Sequence, residues 1–108
     1  MKFTDIEFKP RFPEADCEAV KDISPDTYEW MSTSKQARVS FPNGYEVSIL
    51  LGSMFYSNGI DTYELAVFHD GSITYDTPIT SDVLGYLTEP GLMENLQQIE
   101  NLPTKENT

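Results

Sequence analysis

Basic residues are missing from most of this 108-residue chain, because residues 39–104 contain no Lys or Arg. Six of the seven basic residues precede this stretch, and the net charge of the whole chain is -11 at pH 7. A surface of one sign repels nucleic acids and anionic lipids, so the sequence predicts no direct binding to nucleic acid or membrane. It favours a protein partner with a basic surface.

Cysteine and long apolar runs are also scarce. The single cysteine, Cys17, excludes an intramolecular disulfide framework. No basic segment is followed by the apolar run of a signal peptide, and no apolar stretch approaches the length that spans a membrane. These absences predict a soluble protein of the cytoplasm.

Residues that could carry catalysis or bind a metal are few. His69 is the only histidine, and its position before Asp70 and Gly71 is that of a residue entering a tight turn. No nucleophile motif accompanies it. Four aspartates between positions 61 and 82 lack the spacing of a calcium-binding loop and suit turns or caps. The sequence therefore predicts a non-enzymatic protein without catalytic residues, metal or cofactor.

Aromatic and apolar residues are present in amounts that favour a folded core. The chain has six Phe, six Tyr and one Trp, and its apolar fraction is 39%. The pairs Asn43-Gly44 and Asp70-Gly71 predict two β-hairpins. Five segments have the alternation of half-buried strands: residues 2–8, 37–41, 45–51, 62–68 and 72–75.

The last third of the chain changes to helical periodicity. Favourable N-caps at positions 80–82 predict a short helix over 83–87. A second helix is expected from about Pro90 to Pro103, with apolar residues at 92, 93, 96, 99 and 102 on one side. The predicted fold class is α+β: an antiparallel sheet of about five strands, formed by two hairpins and an N-terminal strand and covered by the C-terminal helix.

Residues 1–103 fit one small domain, and residues 104–108 are expected to fray. Within this domain, residues 11–36 are polar and acid-rich. A helical turn or two is predicted over 15–23, and Ser24, Pro25 and Asp26 are expected to end it.

The acidic residues of the cation-free stretch fall into two groups. Five have a local role, since four aspartates suit turns or caps and Glu89 suits a helix start. Four have none and are predicted to form an acidic binding face: Glu46, Glu64, Glu94 and Glu100. Carboxylates on a rigid domain can imitate nucleic-acid phosphates and attract a basic groove.

A second hypothesis places the contact surface on aromatic residues. Phe55 and Tyr56 lie in the loop 52–59, and loops held by a rigid scaffold often carry function. In this alternative the protein is structural and associates with itself through the loop. The sequence alone leaves the oligomeric state open.

Residues 1–10, 41–45, 63–67 and 75–88 resemble a group of small, uncharacterised bacteriophage proteins. Residues 11–36 depart from this pattern and have the character of an insertion. The resemblance implies a phage gene whose product acts in the host cytoplasm. It favours an accessory protein that binds, and so inhibits, a host enzyme or defence complex.

Overall fold

The computed structural model describes residues 2–69, 72–73 and 83–103. A short 3₁₀ helix at Phe3–Asp5 precedes the other elements. In chain order, the strands and helices are β1 (Lys9–Pro10), α1 (Glu14–Lys21), α2 (Pro25–Thr33), β2 (Lys35–Ser40), β3 (Tyr45–Leu51), β4 (Tyr63–His69), β5 (Ser72–Ile73), β6 (Leu84–Leu87) and α3 (Glu89–Glu100).

All strand pairs of the sheet are antiparallel, in the order β1, β2, β3, β4. Two short strands then share the far edge of β4: β5 pairs with its end and β6 with its beginning. The predicted α+β class and antiparallel sheet are confirmed. The pairing of β2 with β3 confirms the first predicted hairpin, and the pairing of β4 with β5 confirms the second. The turn at 70–71 lies outside the described residues.

One face of the sheet forms the core, and α3 covers it. Alternation along β3 and β4 directs apolar side chains to this face, and α3 buries its stripe against them, as its periodicity predicts. Burial of each large apolar side chain stabilises the fold by about 1.5–3 kcal/mol. The apolar residues buried most completely are Val47, Ile49, Leu65, Val67, Leu92, Leu96 and Ile99.

The turn between β2 and β3 also holds the end of α3. Gly44 has a φ of 91°, as the Asn-Gly pair predicts, but Asn43 stays outside the left-handed region. The buried Asn43 side chain instead donates from Nδ2 to the carbonyls of Ile99 at 2.8 Å and Leu102 at 3.0 Å. Its Oδ1 accepts from the Tyr45 N–H at 3.1 Å. A turn residue thereby caps the helix C-terminus.

The strand predicted over residues 2–8 is wrong. Phe3 and Phe8 both pack on Tyr63, with ring centroids 5.7 and 5.6 Å from its ring. Residues of odd and even number point to opposite faces of a strand, so a strand could not bring both rings to one side. The 3₁₀ helix changes the direction of the chain, and Ile6 is buried in the core as well.

The helix predicted over 83–87 is also wrong, because Leu84–Leu87 forms β6. Its predicted N-caps at 80–82 lie outside the described residues. The beginning of β4 leaves an edge that β5 does not reach, and β6 supplies the missing ladder there. Sheet pairing overrides the local helical signal.

The helical turn or two predicted over 15–23 is confirmed by α1, whereas the second helix, α2, was not predicted. Ser24 and Pro25, expected to end a helical segment, begin α2: Ser24 Oγ accepts from Thr27 N, and Pro25 occupies the first turn. Trp30 of α2 meets Phe12 edge to face, with ring centroids 5.3 Å apart. The boundaries of the insertion stay a prediction, and the tail at 104–108 lies outside the described residues.

Substitution of Asn43→Asp should lower the free energy of unfolding by about 1–3 kcal/mol. The change replaces the amide donor by a carboxylate that faces carbonyl oxygens at the negative end of the helix dipole. Asn101→Asp is the matched control, because it adds the same charge at the same helix end on an exposed side chain. Urea unfolding of both variants checks this, and equal losses would contradict the capping role.

Candidate functional site

Exposed apolar side chains are concentrated at one end of the sheet. Among the described residues, five large apolar side chains are exposed, and only Ile23 lies elsewhere, at the turn between α1 and α2. The other four lie on the β3–β4 loop or on β6 and are here named the loop surface: Met54 (64% exposed), Tyr56 (58%), Ile60 (79%) and Tyr86 (61%).

Asn58 organises the second half of the β3–β4 loop. Its Oδ1 accepts from the backbone N–H groups of Ile60 at 2.8 Å, Asp61 at 3.0 Å and Thr62 at 3.1 Å. Its own N–H donates to Thr62 Oγ1 at 2.8 Å. Four backbone donors of an exposed loop are thus satisfied within the loop.

Ser57 holds the two ends of the loop together. The side chain is buried, and its Oγ donates to the Thr62 carbonyl while accepting from Gly52 N at 3.3 Å and Gly59 N at 3.0 Å. Gly59 has a φ of 78°, which favours glycine. A loop held in this way loses little conformational entropy when it binds a partner.

The loop is also joined to β6. Tyr86 N donates to the Tyr56 carbonyl at 2.8 Å. A Cβ on Gly85 would lie 2.6 Å from Tyr56 Cβ, so only glycine permits this approach. Tyr86 has a φ of 54°, a conformation that costs a non-glycine residue about 1–2 kcal/mol. Backbone strain of this kind is found most often at functional sites. The strained residue, Tyr86, also carries an exposed aromatic ring.

The two aromatic residues predicted for this loop have different roles. Tyr56 is exposed, whereas Phe55 is half-buried and its Cδ2 would lie 2.9 Å from a Cβ on Gly52. Phe55 supports the loop from inside. Met54, Ile60 and Tyr86 were not predicted as contact residues, although an Ile within the polar run 57–62 is a signal that could have indicated exposure.

The four acids predicted to form one face lie on two sides of the sheet. Glu46 and Glu64 alternate with core residues of β3 and β4, so they point away from α3. Glu94 and Glu100 are exposed on α3 itself and line a surface depression of about 460 Å³. The sheet separates the two pairs.

Two of these acids also have partners. Glu46 accepts from Arg38 Nη1 and, at 3.1 Å, from Ser40 Oγ. Arg38 immediately precedes the stretch without Lys or Arg, so the absence of basic residues along the sequence did not indicate that Glu46 has a basic partner. Glu64 Oε1 accepts from Tyr56 N at 3.3 Å and so helps to hold the loop.

Three carboxylates lie at the end of the sheet that carries the loop surface. Burial raises the pKa of the Tyr63 hydroxyl above its ordinary value of 10.0, and the nearby charges of Glu89 and Asp61 raise it further. Asp61 lies just before β4, Glu64 is its second residue, and Glu89 begins α3 two residues after Leu87, which pairs with Tyr63. None of the three ion pairs within the described ranges involves these acids.

Within the described residues, the remaining candidates His69 and Cys17 lie on different elements, β4 and α1. His69 ends β4, where its ring packs 5.2 Å from that of Tyr45. Cys17 is buried as a free thiol in α1. Residues 2–69 and 83–103 contain no group of three or more His, Cys, Asp or Glu residues placed to hold a metal ion.

Comparison of the chain with protein-family models, with curated proteins and with solved structures finds no match. In the part of the chain that the structure describes, no helix is both long and apolar enough to cross a membrane.

Substitution of Asn58→Ala should release the loop without unfolding the domain. The amide protons of residues 60–62 lose their acceptor and should exchange with solvent about tenfold faster or more. Amides of β3 should keep their exchange rates, since the core does not involve Asn58. Hydrogen exchange followed by NMR checks this, and unchanged rates at 60–62 would show that the network does not hold the loop.

Proposed function

We propose that the protein is a non-enzymatic binding protein that contacts a basic surface of another protein through the loop surface. The observation that carries the proposal is a loop fixed by its own hydrogen bonds that displays three exposed apolar side chains, next to the exposed Tyr86 of β6. With the resemblance to bacteriophage proteins, the partner is a host protein and the place of action is the host cytoplasm.

The chemistry of the loop surface suits protein recognition. Tyrosine is enriched among the residues that contribute most to binding, and Tyr56 and Tyr86 are linked through their backbones. Met54 and Ile60 add apolar area around them. The fixed loop reduces the entropy that binding would otherwise cost.

Surrounding charge supports a basic partner. Asp61, Glu64 and Glu89 lie around the loop surface, and the net charge of -11 attracts a positive surface over a longer range. Such charge speeds association and selects among partners more than it adds affinity. The expected partner surface is an apolar patch flanked by Lys or Arg.

The separation of the four predicted acids changes the acidic-face hypothesis. A nucleic-acid mimic needs its carboxylates on one side, and the sheet lies between Glu46 with Glu64 and Glu94 with Glu100. Only Glu64 belongs to the surroundings of the loop. The proposed protein is therefore attracted to a basic surface, but its carboxylates do not imitate a row of phosphates.

Self-association through the same loop is the second candidate, favoured by exposure of the apolar side chains. A two-fold contact would bring Asp61, Glu64 and Glu89 of both copies together, and like charges in contact are unfavourable. Sedimentation distinguishes the two, because self-association requires a concentration-dependent mass that rises with added salt.

Substitution of Tyr86→Asn should separate stability from binding. Asn tolerates the left-handed conformation better than Tyr, so the free energy of unfolding should stay the same or rise by up to about 1 kcal/mol. Loss of the exposed ring should weaken partner binding about tenfold or more. Thermal melts, with capture of proteins from a bacterial lysate on the immobilised variants, measure both quantities.

The matched control is Ile23→Asn, which removes an equally prominent exposed apolar residue from the turn between α1 and α2. A specific partner should stay bound to this variant and to Tyr86→Phe, and added salt should release it. Retention that survives Tyr86→Asn, or is lost equally with Ile23→Asn, would refute the loop surface as the contact site.

A further inference from the structure

We propose that a depression between α2 and the β3–β4 loop binds an arginine side chain of the partner protein. The depression has a volume of about 320 Å³ and adjoins the loop surface, because one of its lining residues directly precedes Met54. The inference rests on the proposed function, since it assigns the site to the same partner. The depression is here named the α2 pocket, and it is lined by Asp26, Glu29, Trp30, Thr33 and Ser53.

One face of α2 and the start of the loop form the two walls of the α2 pocket. The other lining residues of α2 lie three, four and seven positions after Asp26, so all four are neighbours on the helix surface. The loop comes close to the C-terminal end of this helix, because a Cβ on Gly52 would lie 2.7 Å from Ser34 Oγ. This approach sets Ser53 opposite the face of α2.

The two carboxylates of the α2 pocket have no counterion in the part of the chain that the structure describes. Neither Asp26 nor Glu29 belongs to any of its three ion pairs, and neither side chain there accepts a hydrogen bond. Like charges three positions apart on a helix repel each other. A bound cation would remove this repulsion, and the net charge of -11 attracts one.

The hydroxyl groups of the α2 pocket add hydrogen-bond acceptors. Thr33 Oγ1 directs its proton to the helix backbone, since it donates to the Glu29 carbonyl at 2.8 Å. The lone pairs of this oxygen are left for a donor in the pocket. Together with Ser53 and the two carboxylates, the lining offers four side chains that accept hydrogen bonds. A ligand with a positive charge and several N–H groups matches this lining.

The indole of Trp30 favours an arginine side chain over other cations. Trp30 is half-buried, and its edge-to-face contact with Phe12 covers at most one face of the indole. A guanidinium stacks on such a face and extends a planar fork of donors to carboxylates, whereas an ammonium is a point charge. A hard metal ion needs several oxygen ligands, and the described residues hold no group of three or more His, Cys, Asp or Glu placed to bind one.

Fluorescence titration tests the α2 pocket directly, because Trp30 is the only tryptophan of the chain. The probes are Nα-acetylarginine amide, Nα-acetyllysine amide and the neutral isostere Nα-acetylcitrulline amide, added at constant ionic strength. The arginine compound should change the emission saturably, with a Kd of about 10 mM or less. The Kd should be about threefold higher or more for the lysine compound and about tenfold higher or more for the citrulline compound.

Two variants make the titration specific. Glu29→Gln should raise the Kd of the arginine compound about tenfold, because it removes a carboxylate and keeps the size of the side chain. Glu14→Gln is the matched control, since it removes the same charge from an exposed position of α1 outside the lining, and the Kd should change less than about twofold. Emission of both variants without probe should match that of the unchanged protein. Unchanged emission with the arginine compound, equal binding of the citrulline or lysine compound, or equal effects of the two variants would overturn the proposal.

Failure of this inference is distinguishable from failure of the proposed function. The titration needs no partner, and in the complex Glu29→Gln should weaken partner binding about tenfold, as Tyr86→Asn does. Ile23 does not line the α2 pocket, so Ile23→Asn stays a control. Partner binding that is lost with Tyr86→Asn but unaffected by Glu29→Gln would overturn the α2 pocket and leave the loop surface as the contact site. Partner binding that is unaffected by Tyr86→Asn would refute the proposed function, whatever the titration shows.

Discussion

Contact between the apolar stripe of α3 and the core face of β3 and β4 determines the arrangement of the molecule. The least exposed apolar side chains of the described residues belong to this contact. Both ends of the helix are held: Thr88 Oγ1 accepts from Gly91 N at the beginning, and Asn43 caps the carbonyls at the end. Since α3 occupies one face of the sheet, the other face, the two edges and the loops are the surfaces left for partners.

The loop surface obtains its order from a source other than this core. Ser57 and Asn58 satisfy the backbone of the β3–β4 loop with side-chain hydrogen bonds, so Met54, Tyr56 and Ile60 need not be buried to hold it. Exposed apolar residues on a disordered loop would pay an ordering cost on binding, whereas those on a fixed loop do not. The strained backbone of Tyr86 is maintained by its bond to Tyr56.

The central sheet and α3 could be predicted because their signals are local. Alternation marks β2, β3 and β4, the Asn-Gly pair marks the first turn, and residues 88–90 mark a helix start. Residues 2–8 and β6 could not be predicted in this way, since their conformations depend on partners distant in sequence: Tyr63 for the N-terminal segment and the beginning of β4 for β6. The start of α2 could have been predicted, because Ser24 and Pro25 are residues that commonly begin a helix.

The candidate site could be predicted only in part for the same reason. Tyr56 was identified from its loop, but Tyr86 joins the loop surface through a strand pairing that the sequence does not signal. The acids were recognised by the absence of Lys and Arg along the chain, whereas their grouping is spatial. Alternation along β3 and β4 places Glu46 and Glu64 on the face opposite α3, and Arg38 enters from a neighbouring strand.

The most direct measurement of the central claim is site-specific photocrosslinking in a bacterial lysate. A photoreactive phenylalanine analogue would replace Tyr56 in one sample and Ile23 in the other, two exposed positions on different parts of the molecule. The account predicts that position 56 crosslinks to one protein, at an apolar patch flanked by Lys or Arg, and that position 23 does not. Crosslinks of equal yield from both positions, or crosslinks from position 56 only to a second copy of this chain, would contradict it.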